Sequence, residues 1–186
     1  MWLRRILPLF AGVALLTGFF SGCEKKLEVP PASMAPVPCA EFEIKTLDGG
    51  ELRSDELKNK WGIICIFTIW DPNCVREVPE LKKMEQALKG LPVKIMAICI
   101  QDTPEADIQA FVKDQDIDCP IGLVKLEDIP GPFRGIDMLP TLFIVDPTFT
   151  VINRHNGFTP VEKIQYEILA RIQQAKRDAE ASKASK

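Results

Sequence analysis

Trp70-Asp71-Pro72-Asn73-Cys74, directly after the apolar run Gly62 to Ile69, is the segment best suited to chemistry. Two cysteines separated by two residues on the first turn of a helix lie within the Cα separation of about 4.4–6.8 Å that a disulfide needs, and so form a redox dithiol. Here Cys74 supplies one sulfur and Asp71 stands where the other would be. A carboxylate neither forms nor cleaves disulfides, so two-thiol turnover is not expected of this motif. A thiol at a helix start is nonetheless favoured in its ionised form by the helix dipole. Asp71 should oppose that by charge repulsion and hold Cys74 as the thiol.

The elements around the motif are those that would present it. Gly62-Ile63-Ile64-Cys65-Ile66-Phe67-Thr68-Ile69 reads as a strand covered on both faces. Asp71 is a good N-cap, Pro72 suits the first helical position, and Val78, Leu81, Met84 and Leu88 follow at helical spacing. Pro79 should kink that helix. Phe42 and Ile44 before the turn Leu47-Asp48-Gly49-Gly50 predict an N-terminal hairpin. Further strands are expected over Val93 to Ile100, Thr141 to Val145 and Thr150 to Asn153, with a helix after Thr103-Pro104. Thr159-Pro160-Val161-Glu162 opens a last helix whose apolar face is Val161, Ile164, Ile168, Leu169 and Ile172. This order predicts an α/β fold, a mixed sheet with helices on both faces.

Arg4-Arg5, the apolar stretch from Ile6 to Phe20 and Ser21-Gly22-Cys23 read as an export signal. The apolar stretch is shorter than the roughly 20 residues of a membrane span, and small residues before a cysteine resemble the lipobox of bacterial lipoproteins. Residues 1–22 are therefore expected to be removed and Cys23 to carry lipid, placing the chain in the bacterial cell envelope, outside the cytoplasm. Residues 23–38 form a proline-rich linker, 39–172 one domain and 173–186 a polar tail. Losing Arg4 and Arg5 leaves 21 basic against 26 acidic residues, a net charge of −5, with no basic stripe for nucleic acid.

From about Cys39 to Ile172 the chain resembles the thioredoxin-like, membrane-anchored oxidoreductases of the TlpA/ResA type. The likeness lies in Thr46-Leu47-Asp48-Gly49, Ile66-Phe67-Thr68-Ile69-Trp70, Cys74 to Leu81 and Gly135 to Asp146. It implies a thioredoxin-like fold, and Asp71 at the attacking cysteine's place with Cys74 as the resolving one. It implies a cis Pro140 against the site, Leu139 pairing with substrate backbone, and an active-site role for Glu77. Trp70, Leu139 and Pro140 would then hold a protein thiol or a partner chain.

Three readings stay open: a partner-binding relative with reduced thiol chemistry; a single-cysteine enzyme using Cys74, either a peroxidase of the peroxiredoxin kind or a residual thiol exchanger working with a cysteine of another protein; and metal delivery through cysteine and His155. For the last, a solvent-facing strand-end histidine is the simpler account of His155, so no metal and no cofactor are expected. Glu77 divides between a surface charge and a proton carrier beside Cys74. Trp61, Cys65 and Cys99 read as packing residues, and Cys39 and Cys119 as the pair open to a structural disulfide.

Overall fold

The computed structural model describes residues 27–184. The signal region and the proposed lipid site Cys23 lie outside the described residues. The chain forms β1 (Val37–Pro38), β2 (Glu43–Lys45), β3 (Glu51–Arg53), β4 (Trp61–Phe67), α1 (Pro72–Ala87), β5 (Val93–Ile100), α2 (Glu105–Asp114), β6 (Ile121–Val124), β7 (Thr141–Val145), β8 (Thr150–Asn156) and α3 (Val161–Ala184). Six strands make one mixed sheet in the order β1-β8-β7-β4-β5-β6, and β2 and β3 make the expected hairpin beside it. This is the α/β thioredoxin-like fold anticipated from the sequence.

β4 is the centre because every one of its residues is buried, which only a strand packed on both faces can be. It runs parallel to β5 and antiparallel to β7, with Phe67 opposite Cys99 and Ile66 opposite Thr141. One face carries Ile63, Cys65 and Phe67 against Val78, Leu81 and Met84 of α1, Ile108 of α2 and Ile164, Ile168 and Ile172 of α3. The opposite face carries Ile64 and Ile66 against Ile44 and Leu52 of the hairpin and Phe133. All three α-helices thus share one face. The other is covered by the hairpin and by 3-10 turns at Ser54–Leu57 and Gly131–Phe133, not by the second α-helical layer the element order predicted. Right-handed crossovers put the connections of the parallel run β4, β5, β6 on the same side.

Two strands went unanticipated. β6 extends the sheet beyond β5, and β1 pairs antiparallel with β8 through Val37 opposite Val151. Gly122 of β6 allows the hairpin to lie close, since a Cβ there would stand 2.9 Å from atoms of both Ile44 and Leu52. The segment read as a linker is docked where it is described: the Leu27 N–H donates to Gln173 at the start of the stretch read as a tail and the Ser33 N–H to Asn153, while Cys39, the first residue of the domain, donates to the Phe149 carbonyl.

Cys39 and Cys119 do not meet. They belong to packing clusters on opposite faces of the sheet, and all five described cysteines are free thiols.

Candidate functional site

The motif sits where β4 gives way to α1. Asp71 keeps extended backbone and its carboxylate accepts the N–H of Asn73 at 2.8 Å and of Cys74 at 3.2 Å, while Pro72 opens the helix. The capping role read from the sequence is therefore met, and it costs nothing that Pro72 has no N–H to offer. The helix continues through Pro79 to Ala87.

Cys74 faces inward. Its side chain is fully buried among Phe67, Val78 and Cys99, and its Sγ accepts the Thr68 N–H at 3.5 Å. Burial pushes the thiol up to about 11, and the Asp71 and Glu77 charges raise it by less, against a lowering contribution from the Thr68 amide. Asp71 does oppose ionisation, as the sequence led us to expect. It is a lesser cause than removal of the sulfur from water.

Glu77 is no surface charge. It stands one turn below Cys74 on the same stripe of α1 and is completely buried. Its Oε2 accepts the backbone N–H of Thr159 at 2.7 Å, across 82 residues of sequence, while Oε1 has no hydrogen-bond partner. Burial raises its pKa to about 7, partly offset by the Thr159 amide. The Thr68 hydroxyl is also buried, and its side chain, like its amide, works to lower the Cys74 thiol. A buried thiol and an acid poised near neutrality thus share α1, with the Thr68 hydroxyl just past the end of β4 beside the thiol.

Large apolar side chains in and near the motif are exposed. Trp70 is 60% exposed, Met138 54% and Val75 36%. The Trp70 indole N–H donates to Asp102 at the end of β5. The Leu139–Pro140 peptide is cis, and because Thr141 stands opposite Ile66 the start of β7 lies at the motif end of β4. The Pro140 carbonyl accepts the Gly157 N–H at 2.7 Å, and Gly157, at φ +74°, has Met138 Sδ where a Cβ would project. Trp70, Asp71, Cys74, Leu139 and Pro140 are thereby gathered at one end of the sheet.

His155 is not solvent-facing. Its Nε2 lies 2.7 Å from Oε2 of Glu167 on α3, and its side chain is only 9% exposed. Glu167 is fully buried and also accepts from Asn153 Nδ2 and Arg171 Nε, each at 2.8 Å. Burial alone would raise this carboxyl, but the His155, Asn153 and Arg171 contacts bring it down to about 2. Sequence reasoning missed this cluster, although Glu167 falls beside Ile164 and Ile168 on the buried stripe. Among the described residues no group of three or more histidine, cysteine or acidic side chains is arranged to hold a metal ion.

Residues 35–154 match the model of the AhpC/TSA family. The chain belongs to that family. It is 26% identical over 156 residues to thiol-disulfide oxidoreductase ResA of Halalkalibacterium halodurans, covering 84% of this chain and 86% of that one. To sporulation thiol-disulfide oxidoreductase A of Bacillus subtilis it is 25% identical, covering 78% and 86%. Among solved structures, a thiol:disulfide interchange protein DsbE from Chlorobium tepidum superposes with a TM-score of 0.65 at 18% identity, covering 74% of this chain and 96% of that one. StoA from Bacillus subtilis gives 0.55 at 22%, covering 69% and 96%. At these identities the structures establish the thioredoxin-like fold. The AhpC/TSA chain thus shares its scaffold with proteins named for dithiol exchange, while offering one motif sulfur.

Proposed function

We propose that this protein is an extracytoplasmic, lipid-anchored member of the thiol-disulfide oxidoreductase group that has given up ordinary dithiol turnover and uses its motif surface to hold a partner chain. The observation that carries this reading is the fate of the single motif sulfur. Cys74 is buried, its thiol pushed up to about 11, and its neighbour at the motif's other end is the helix-capping carboxylate of Asp71. A thiol so far from ionisation is a poor nucleophile at neutral pH. The peroxidase alternative needs an exposed thiolate at Cys74 and is disfavoured for the same reason. In contrast, Trp70 and Met138 offer exposed apolar surface near the half-buried Leu139 and the buried cis Pro140, suited to an extended polypeptide. Glu77 would hold a proton beside Cys74 in any residual exchange through one thiol.

Reduction of insulin by dithiothreitol tests the reading. Wild type should give the uncatalysed rate and Asp71→Cys should accelerate it. Turnover by wild type that persists in Cys74→Ser would overturn the placement of chemistry at this motif.

A further inference from the structure

Given lipid attachment at Cys23, the inference below rests on the reading just proposed. The described chain begins at Leu27, whose N–H donates to Gln173 Oε1 on α3 at 3.0 Å. Four residue steps separate Leu27 from Cys23, and whatever their conformation they span at most about 14 Å. A lipid on Cys23 would therefore be tethered within that reach of the Leu27–Gln173 contact. Ser33 fastens the same segment further along: its N–H donates to Asn153 Oδ1 at 2.7 Å, and its hydroxyl donates to the Arg154 carbonyl at 2.6 Å and accepts the Arg154 N–H at 3.2 Å. Asn153 is in turn held by Glu167. Were the segment free back to Cys39, sixteen steps would allow the domain to stand about 55 Å from its lipid.

The helix beside this exit is unusual. α3 starts at the motif end, next to Glu77, and its last core residue is Ile172, yet it continues to Ala184 with its side chains largely exposed. From Val161 to Gln173 the helix descends about 18 Å, and the remainder projects about 17 Å further. The projecting end carries Lys176, Arg177 and Lys183 against Asp178 and Glu180, a nearly balanced set that does not depend on anionic lipid.

We infer that the bilayer is the occupant of this end: the docked segment around Ser33 is a short leash that seats the C-terminal half of α3 on the lipid surface. The Trp70 and Met138 surface then points away from the membrane, towards partners free in the surrounding space.

The test uses the full lipidated protein in phosphatidylcholine vesicles containing a headgroup-nitroxide lipid. A bimane label is placed at Lys183→Cys or at Glu127→Cys, the latter in the turn after β6 at the motif end, each with Cys119→Ser to remove the half-exposed native thiol. Loss of emission at 183 and none at 127 is expected. Ser33→Pro, which deletes the donating N–H without touching the core, should abolish quenching at 183 while the protein still sediments with vesicles; Asn153→Ala should do the same if it folds. Equal quenching at both sites, or quenching at 183 that ignores Ser33→Pro, overturns the inference alone. Wild type recovered in the aqueous phase overturns the lipid-attachment reading and the inference with it.

Discussion

The Oε2 atom of Glu77 accepts the Thr159 backbone N–H at 2.7 Å, so one carboxyl on α1 closes the loop that leads into α3. Its second oxygen is buried and unpaired. The protonated form suits this setting better than the ionised one, since an O–H gives up less on leaving water than a charge does.

That preference gives stability a pH dependence of unusual sign for a carboxyl. Glu77 titrates at about 7 when folded against 4.5 for an ordinary glutamate, so between those values the unfolded chain binds fewer protons and stability falls as pH rises. The loss amounts to at most about 3 kcal/mol across the window. Glu77→Gln should flatten it, which thermal melts at about pH 5 and about pH 8 will show. A wild type and variant with parallel pH profiles would place the folded pKa near its ordinary value.

Asp71→Ala should cost about 1 kcal/mol through loss of the cap, and Asp71→Asn only a fraction of that. Neither should make Cys74 fast to alkylate under native conditions, because burial is the main cause of its raised pKa. Iodoacetamide kinetics with peptide mapping decide the point. A large acceleration in Asp71→Asn alone would mean that charge, not burial, controls the sulfur.

Glu167 behaves in the opposite sense to Glu77. With its folded pKa lowered to about 2, its contribution is complete above about 4.5 and is lost as pH falls towards 2. Glu167→Ala strands the largely covered Arg171 together with Asn153 and His155, and should destabilise by about 3–5 kcal/mol. Urea midpoints at neutral pH measure this. A loss below about 1 kcal/mol would place the cluster in the class of exposed ion pairs.

Under the proposed anchoring, Cys23→Ala should abolish incorporation of labelled fatty acid and leave the protein either unprocessed or released from the membrane. Unchanged incorporation would move the attachment elsewhere in the chain.

Elements with a long apolar period were plain in the sequence: β4, β5, α1 and α3 all announce themselves by runs or stripes. β1 and β6 did not. Val37–Pro38 lies in a proline-rich stretch with no alternation, and its pairing is supplied wholly by β8. Ile121–Val124 is four residues long with a glycine inside, too short for a period to register. The capping of Asp71 and the gathering of Trp70, Leu139 and Pro140 were legible because local chemistry and the resemblance agreed. The burial of Glu77 was half-legible, since it shares the Cys74, Val78 and Leu81 stripe. His155 could not be read alone, because the partner that draws it inward lies twelve residues away on another element.

The arrangement of indoles gives the molecule two optical populations. Trp61 is shut in the core at 7% exposure, whereas Trp70 stands at the rim with its N–H against Asp102. The third tryptophan, Trp2, falls in the segment whose removal is proposed. Emission from the processed protein should therefore divide into a blue, acrylamide-resistant component and a red, quenchable one. The second is a native beacon at the motif, dimming or shifting whenever a chain settles over it, with no dye required.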